Sequence, residues 1–444
     1  MTLNDDTIVA PASATGGAIA VVRLSGPEAF SIADAMFSSP HGHKTASAKG
    51  YTMLRGEVVE QERSIDDVVV SVFRAPNSYT GDDTVEIACH GSQFIVSEIL
   101  RRALSLGARS AEAGEFTRRA FLAGKIDLSQ AEAVADTIAA ESLAASAMAS
   151  TQMRGNYSEE LQKLREKLLR LASLLELELD FSEEDVKFAD RTELVALLDQ
   201  TAARTRQLSA SFATGNAIKQ GIAVAIVGAP NVGKSTLLNR LVGDERAMVS
   251  EIAGTTRDTI EESVTIDGVR FRMVDTAGLR QTDDPLEKMG IERAMKAVQK
   301  ADVVIEITDG ESLPPNIDYG QRRVLHVTNK IDRLAHVDVA DGTIAISAKY
   351  GEGIGALKKA LRGTIDTDAI MRGEAVVSSI RHYDALCRAT ASLDRAREGL
   401  ADGTPTELVA QDVREVLGAI GEITGAVTSQ DILTSIFSNF CIGK

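Results

Sequence analysis

The chain has 444 residues, and its 44% hydrophobic content is enough to fill the cores of two to four domains. A net charge of −16 at pH 7 argues against a large basic surface for nucleic acid, so any RNA contact is expected to be local or shared with a partner. Three cysteines, Cys89, Cys387 and Cys441, show no Cys-x-x-Cys spacing, which argues against a disulfide framework and a zinc site.

Targeting signals are not expected. Residues 1–6 contain no basic stretch followed by an apolar one, which argues against a signal peptide. No apolar run approaches the length needed to span a membrane. We therefore predict a cytoplasmic protein without membrane contact.

Residues 1–118 are predicted to form an α/β or α+β domain of their own. The apolar, β-branched runs at residues 19–24 and 67–73 read as strands. Residues 91–106 place their apolar side chains on one side at helical spacing, which predicts a helix.

Residues 119–215 and 373–444 are predicted to be helical. The first segment contains a leucine stripe at steps of three and four residues: Leu161, Leu164, Leu168, Leu171 and Leu175. The second contains a similar stripe after an interruption near Pro405: Val413, Val416, Leu417, Ile420 and Ile423. The simplest architecture packs both segments into one bundle, with residues 216–372 inserted between them and the ends of the insert close together.

A phosphate-binding loop is predicted at residues 228–235. Its sequence has the pattern G-x-x-x-x-G-K-S, and the apolar run at residues 222–227 just before it reads as a buried strand. Lys234 can reach the β- and γ-phosphates of a nucleotide, and the Ser235 hydroxyl can bind Mg²⁺. The predicted contacts in this loop are Asn231, Val232, Gly233, Lys234, Ser235 and Thr236.

Two later motifs predict that the base is guanine. Asn329, Lys330 and Asp332 follow the apolar run at residues 324–327. The Asp332 carboxylate can accept both the N1–H and the N2–H of guanine, a donor pair that adenine lacks. The second motif, at the end of the strand-like run at residues 343–346, consists of Ser347, Ala348 and Lys349, of which the Ala348 N–H can donate to guanine O6.

Two segments between the phosphate loop and the base motifs are predicted to respond to the γ-phosphate. The strand-like run at residues 269–274 ends in Asp275, Thr276, Ala277 and Gly278. There Asp275 would hold Mg²⁺ through water, and the Gly278 N–H would contact the γ-phosphate. Residues 254–258 lie where a switch loop belongs, and Thr256 can complete the Mg²⁺ shell.

Each short motif alone is also compatible with an ordinary turn. Five in this order, following strand-like runs, predict that residues 216–372 resemble the G domain of a translation-factor-type GTPase. Such a domain is a doubly wound α/β sheet that binds its nucleotide at the carboxyl ends of the strands.

The hydrolytic machinery departs from that of small signalling GTPases. Those place Gln after D-x-x-G to orient the attacking water, whereas this chain has Leu279, which cannot hydrogen-bond to water. Either hydrolysis is very slow or another residue takes the role. Glu287 is our candidate, and a solvated acidic face is the alternative. The Asn231 side-chain oxygen can bind a monovalent cation near the β- and γ-phosphates, or can stabilise its own loop as an Asx interaction.

Taken together, the motifs resemble those of the tRNA modification GTPase MnmE family, also called TrmE. The resemblance rests on the phosphate loop, Gly-Thr-Thr-Arg-Asp, Asp-Thr-Ala-Gly-Leu-Arg, Asn-Lys-Ile-Asp and Cys-Ile-Gly-Lys at residues 441–444. Residues 6–10, 76–81, 114–121 and 128–133 agree as well, so it covers nearly the whole chain.

The resemblance implies a GTP-hydrolysing enzyme of tRNA modification. Members of the family work with the flavoprotein MnmG (GidA), in a heterotetramer or larger complex, on certain tRNAs. They add an aminomethyl or carboxymethylaminomethyl group to C5 of the wobble uridine (position 34), and a tetrahydrofolate derivative of the 5-formyl or methylene type supplies the one-carbon unit. The implied architecture is an N-terminal folate-enzyme-like α/β domain that makes a homodimer, a discontinuous helical bundle and an inserted P-loop GTPase domain.

Site residues carry over from the family position by position. The implied folate contacts are Arg23, Glu86, Lys125 and Lys444, and Cys441 becomes a candidate for thiol chemistry. The family's G domains dimerise across their nucleotide faces with K⁺, which gives Asn231 its cation role.

Further oxygens for K⁺ would come from Ser250, Ile252 and Thr255, within a loop that wraps the ion. The implied nucleotide contacts in this loop are Ser250, Glu251, Ile252, Ala253, Gly254, Thr255 and Thr256. Glu287 occupies the position of the family's water-orienting glutamate.

Two other functions compete with this interpretation. A ribosome-assembly GTPase of the Era or Der type shares Gly-Thr-Thr-Arg-Asp but carries a KH module or a second G domain, and this sequence has no second phosphate loop. A non-catalytic scaffold in which GTP only gates dimerisation would fit Leu279, whereas Glu287 and Asn231 argue against it.

Overall fold

A computed structural model describes residues 6–180, 191–243, 262–274, 287–312, 317–333, 342–438 and 440–443. The chain divides into two compact units: residues 1–135 together with 421–444, and residues 136–420. None of the helices in these ranges is long and apolar enough to cross a bilayer.

The described residues form thirteen strands and fifteen α-helices. The strands are β1 (Ile8–Pro11), β2 (Ile19–Ser25), β3 (Phe37–Ser38), β4 (Thr52–Glu60), β5 (Arg63–Phe73), β6 (Thr84–His90), β7 (Arg109–Ser110), β8 (Ile222–Val227), β9 (Ser263–Ile266), β10 (Val269–Met273), β11 (Val303–Thr308), β12 (Arg323–Thr328) and β13 (Ile344–Ala345).

The helices are α1 (Ala29–Met36), α2 (Gln93–Ser105), α3 (Glu115–Leu122), α4 (Leu128–Ala139), α5 (Leu143–Met153), α6 (Asn156–Asp180), α7 (Arg191–Ala210), α8 (Phe212–Gln220), α9 (Lys234–Gly243), α10 (Glu287–Lys300), α11 (Ile354–Arg362), α12 (Asp368–Met371), α13 (Ile380–Asp402), α14 (Thr406–Thr424) and α15 (Gln430–Phe437).

The first unit is built on a seven-stranded sheet in the order β3-β4-β5-β6-β2-β1-β7. Successive side chains of a strand point to opposite faces, so Val68, Val70 and Val72 of β5 enter the core under α1 and α2. The predicted strands at 19–24 and 67–73 and the predicted helix at 91–106 are confirmed. Arg23 of β2 lies opposite Glu86 of β6 in the ladder.

Residues 421–443 complete this first unit. An apolar cluster joins α15 to α3, α4 and the residues between them. Its buried members are Leu128, Ala131, Leu433, Phe437 and Phe440. Beyond this cluster, Ile442 forms an antiparallel bridge with Ala113, so the C-terminal segment is bound to the N-terminal sheet domain along its backbone.

The helices of the second unit pack as the apolar stripes predict. All five leucines of the stripe in α6 are buried, and α7 contacts both α6 and α13. The helical bundle is therefore discontinuous in sequence. Helix α13 ends at Asp402 before Gly403, which has φ +75°, and α14 begins just after Pro405.

The remainder of the second unit is a six-stranded sheet in the order β13-β12-β11-β8-β10-β9, parallel except for the β9–β10 hairpin. Strand β8 is buried along its whole length, as expected for a parallel sheet with both faces covered. Ile222, Val224 and Ile226 enter one apolar core, whereas the alternate alanines and Val227 enter the other. The predicted doubly wound sheet is confirmed.

The sheet domain is inserted into the helical bundle, and its two ends lie side by side. The Val377 N–H donates to the Ser211 hydroxyl oxygen over 3.0 Å. A Cβ atom at Gly215 would lie 2.2 Å from the Val377 carbonyl oxygen, so the backbones are in direct contact. The four predicted domain segments, 1–118, 119–215, 216–372 and 373–444, stay predictions, since the compact units group residues differently.

Candidate functional site

Two glycines shape the predicted phosphate loop. A Cβ atom at Gly228 would lie 2.2 Å from the carbonyl oxygen of Ile307 in β11. A Cβ atom at Gly233 would lie 2.2 Å from the Asn329 side-chain nitrogen, and Gly233 has φ +102°. Both positions therefore require glycine, the first for close packing on the neighbouring strand and the second also for its left-handed backbone.

Lys234 is the first residue of α9 and folds back over the loop. Its Nζ donates to the carbonyl oxygens of Gly228 at 2.9 Å and Ala229 at 2.7 Å. Burial lowers the pKa of Lys234, because the ammonium has lost part of its hydration. A half-buried ammonium beside the glycine loop is suited to binding phosphate.

Asn329 connects three predicted binding segments, and its side chain is buried. Its Nδ2 donates to the Val232 carbonyl oxygen at 2.8 Å, and its Oδ1 accepts from the Ala348 N–H at 2.9 Å. One amide side chain thus links the phosphate loop, the Asn-Lys-x-Asp segment and the Ser-Ala-Lys segment. Sequence spacing indicated that these segments are close but not that Asn329 joins them.

The predicted base-recognition residues meet at the ends of β12 and β13. The Ser347 hydroxyl donates to Asp332 Oδ1 at 2.7 Å, which fixes the orientation of the carboxylate. A carboxylate has about four acceptor positions, so this bond leaves others for guanine. Ala348 is buried, and Lys349 places its ammonium 5.0 Å from the centre of the neighbouring Tyr350 ring.

Asp309 is a site residue that the sequence reasoning missed. It follows β11, and its Oδ2 accepts from Lys330 Nζ at 2.9 Å. Hydrogen bonds from Lys330 and Ser312 hold the pKa of Asp309 well below its usual range. The signal was present, because a polar residue at the carboxyl end of a parallel strand lies at the ligand edge of such a sheet.

The cation and water sites are described only in part. Asn231 is exposed with φ +63°, and within the described ranges no residue hydrogen-bonds to its side chain, so the Asx alternative has no partner there. Glu287 begins α10, but its side chain lies outside the described part of the chain. Residues 250–256 and 275–278, which include Thr256 and Asp275, also lie outside the described part. Of the predicted Mg²⁺ ligands, the structure therefore describes Ser235.

A second polar site lies on the face of the N-terminal sheet opposite the core that contains Val22 and Leu24. Arg23 Nη2 and Nε lie 2.7 and 2.8 Å from Glu86 Oε1, and the two side chains are 14% and 28% exposed. The Arg23 guanidinium carbon is 5.5 Å from the ring centres of both Tyr79 and Phe116. Arg23 is thus held by one carboxylate and two aromatic rings.

Tyr79 adds a ring and a hydroxyl to this site. Its hydroxyl group hydrogen-bonds to the Thr117 hydroxyl at 2.9 Å, and burial raises the pKa of Tyr79. Lys125 is exposed, and its stem approaches Gly81 in the same loop, where a Cβ atom would be 3.6 Å from Lys125 Cε. This site thus combines an acceptor carboxylate (Glu86), an aromatic ring (Tyr79) and two cations (Arg23 and Lys125). These groups fit a pterin with an anionic tail.

The C-terminal segment reaches this second site. Arg23 Nη1 donates to the Gly443 carbonyl oxygen at 3.5 Å, and the Gly114 N–H donates to the Cys441 carbonyl oxygen at 3.5 Å. Cys441 is exposed. Lys444 lies outside the described residues. The bound segment places Cys441 against the N-terminal domain.

Curated relatives match along the whole chain. The "tRNA modification GTPase MnmE" of Flavobacterium johnsoniae is 46% identical over 465 residues, which cover 100% of each chain. The protein of the same name from Porphyromonas gingivalis is 47% identical over 467 residues, with 99% of this chain and 98% of its own covered. A solved FeoB G domain from Methanococcus jannaschii is 26% identical and covers 32% of this chain and 96% of its own, at a TM-score of 0.25.

Two family models match consecutive parts of the chain. "GTP-binding protein TrmE N-terminus" matches residues 7–125. "MnmE helical domain" matches residues 128–441, which is more than half of the chain. With relatives of 46% and 47% identity over nearly the full length, these matches confirm the resemblance. The chain belongs to the tRNA modification GTPase MnmE family.

Proposed function

We propose that this chain hydrolyses GTP and acts with a flavoprotein partner, MnmG, in modifying the wobble uridine of certain tRNAs. The observation that carries the proposal is the position of Asn329, which holds the phosphate loop and both base-recognition segments together through Val232 and Ala348. Such a site selects one base, because polar groups that a bound base covers but leaves unpaired cost free energy.

Guanine selection would depend on two groups. Asp332, oriented by Ser347, would accept the N1–H and N2–H of guanine. The Ala348 N–H, which donates to Asn329 Oδ1, would be shared with guanine O6. Lys234 would exchange its carbonyl partners for the β- and γ-phosphates. Ser235 would bind Mg²⁺, together with Thr256 and, through water, Asp275.

Hydrolysis would need a group that orients water and a charge that stabilises the transition state. We propose Glu287 for the first role. For the second we propose K⁺ held by Asn231, Ser250, Ile252 and Thr255 when two G domains meet. The exposure of Asn231 supports this role, since a cation bound at the face where two G domains meet must lie at a surface.

The polar site of the N-terminal domain would bind a tetrahydrofolate derivative, which supplies a one-carbon unit when bound. Glu86 suits the paired donors of a pterin, and Tyr79 offers a ring beside it. Arg23, Lys125 and Lys444 are the cations for its carbonyl or glutamate groups. Cys441 lies in the segment bound to this domain and is proposed to handle substrate through its thiol. The domain is also proposed to make a homodimer.

Nucleotide binding and turnover test the first part of the proposal. GTP and GDP should bind the purified chain, and ATP should not. Glu287→Ala should abolish most K⁺-stimulated turnover while GTP still binds. If Glu287→Ala left turnover intact, the assignment of Glu287 would be wrong. If the wild-type chain bound GTP but never hydrolysed it, even with K⁺, the scaffold alternative would replace the enzyme.

Nucleoside mass spectrometry of bulk tRNA tests the second part. Cells lacking this chain should lose the C5-modified wobble uridine. The intact gene should restore it, whereas Lys234→Ala should not. An unchanged nucleoside profile in the deleted cells would contradict the proposal and would favour a ribosome-assembly role.

A further inference from the structure

We propose that Asp309 is a positioning residue for the guanine site, which acts on the nucleotide only through Lys330. The inference rests on the proposed function, because it assigns a role within the GTP-binding site. No motif described above includes Asp309.

The backbone brings Asp309 and Lys330 together. Strands β11 and β12 are parallel neighbours, and the Asn329 N–H donates to the Thr308 carbonyl oxygen at 2.7 Å just beyond them. Asp309 directly follows Thr308, and Lys330 directly follows Asn329. Their side chains then meet at 2.9 Å, so the contact joins the ends of two strands at the edge where such sheets bind ligands.

Asp309 is itself fixed in place. Its second oxygen, Oδ1, accepts from the Ser312 backbone N–H at 3.0 Å, which closes a local turn. The side chains of Asp309 and Lys330 are 16% and 27% exposed. A charge-assisted hydrogen bond that is shielded to this degree, with one partner already fixed, is stronger than an ordinary exposed ion pair.

Lys330 needs such a restraint. Its backbone has φ +62°, a left-handed conformation that is unfavourable for a lysine. Asn329 is fixed on one side of it, and on the other side the Ile331 N–H donates to the Ile346 carbonyl oxygen at 3.3 Å. Because its ammonium is bound to Asp309, the methylene stem of Lys330 is fixed beside Asn329. The ammonium is then not available to bind a phosphate.

A double-mutant cycle tests whether Asp309 acts through Lys330. The variants are Asp309→Asn, Lys330→Met and the double variant, measured by fluorescent GDP and GTP binding and by kcat. Asn keeps an acceptor oxygen for Ser312, so the turn and the fold should survive, and circular dichroism checks this. Asp318→Asn is the matched control, since Asp318 accepts a backbone N–H from Gly320 in another turn of the same domain.

We expect Asp309→Asn to weaken GDP and GTP binding about tenfold and to lower kcat at saturating GTP by less than about twofold. In the Lys330→Met background, Asp309→Asn should have almost no further effect. Asp309→Glu, which keeps a carboxylate for Lys330, should recover most of the affinity.

Two results would overturn the proposal while leaving the proposed function intact. One is an Asp309→Asn variant that binds GTP as the wild type does. The other is an equal loss from Asp309→Asn with and without Lys330→Met, which would mean that Asp309 acts independently. If the wild-type chain bound no GTP, both the proposed function and this role of Asp309 would be wrong.

Discussion

Asn329 and Val232 are joined by a hydrogen bond of 2.8 Å from the side-chain amide to the backbone carbonyl. The bond ties the end of β12 to the glycine loop after β8, although β11 lies between these two strands in the sheet. The phosphate and base segments are therefore held at a fixed separation before any nucleotide binds. Such preorganisation lowers the entropy that binding would otherwise cost.

Gly233→Ala should abolish GTP binding. Its Cβ would lie 2.2 Å from Asn329 Nδ2 and would sit on a backbone with φ +102°, so the loop and the Asn329 bond cannot both survive. Isothermal titration with GDP would measure the loss. Gly243→Ala is the matched control at the other end of α9, because a Cβ there meets no atom of the described residues within 4 Å. If Gly233→Ala bound GDP normally, the described loop geometry would be wrong.

Asn329→Ala should both destabilise the domain and weaken nucleotide binding. It leaves the buried Val232 carbonyl and Ala348 N–H without their partner, at a cost of about 2–4 kcal/mol in the free energy of unfolding. Chemical denaturation would measure this cost. Gln220→Ala removes an exposed amide that, among the residues the structure describes, bonds to Asn216 of its own helix, and it should change stability by less than about 0.5 kcal/mol. Equal stabilities of the two variants would contradict the bridging role of Asn329.

Gly443→Ala should release the C-terminal segment from the N-terminal domain. A Cβ there would lie 1.9 Å from the Pro11 carbonyl oxygen. Hydrogen exchange should become faster at residues 440–443 and at Gly114, whose N–H bonds to Cys441. Gly16→Ala is a close control, because Gly16 has φ +97°, against +98° at Gly443, but no atom of the described chain lies within 4 Å of a Cβ there. Unchanged exchange in Gly443→Ala would show that the segment is held elsewhere.

Cys89 should make stability depend on pH in the alkaline range. Burial raises the pKa of the Cys89 thiol from 9.0 to about 11. As pH rises, the Cys89 thiol therefore ionises first in the unfolded chain. The stability that the neutral thiol contributes is complete below pH 9 and should be lost as pH rises towards 11. Cys89→Ala should show a shallower fall over this window in urea unfolding experiments. Parallel curves for both proteins would mean that Cys89 ionises alike in the folded and unfolded chains.

Cysteine labelling should follow burial. In the native protein, iodoacetamide should modify the exposed Cys387 and Cys441 well before the buried Cys89, because the thiolate is the reactive form and needs access. Mass spectrometry of the labelled peptides would give the order. Labelling in denaturant is the control, where all three should react at similar rates.

The fold was largely predictable, because the spacing of apolar residues in the sequence reflects both the type of element and which of its faces are buried. The continuous apolar run of β8 and the leucine stripe of α6 indicated a two-sided sheet and a helical bundle. The close ends of the insert also followed from those two patterns. Strand boundaries were less predictable: β5 begins at Arg63, ahead of its apolar run, because pairing with β4 extends it.

The sequence motifs name candidate site residues, but they do not indicate the contacts between them. Motif spacing placed Lys234 and Asp332 at one edge of the sheet, whereas the Asp309–Lys330 pair depends on the register of β11 against β12. The pairing of Arg23 with Glu86 likewise depends on register, since the two residues face each other only because β2 and β6 are neighbours. Register between distant strands is set by tertiary packing, which local patterns do not record.

Residues 421–443 close a unit that begins with residue 6, while residues 136–420 form a unit of their own. A ribosome delivers the chain from its N-terminus, so the seven-stranded sheet emerges long before α15 and the segment bound to Ala113. During that interval the apolar side chains of Leu128 and Ala131 lack their partners Leu433 and Phe437. The apolar surface of the N-terminal sheet domain around Leu128 and Ala131 therefore stays uncovered until residues 421–443 have been synthesised.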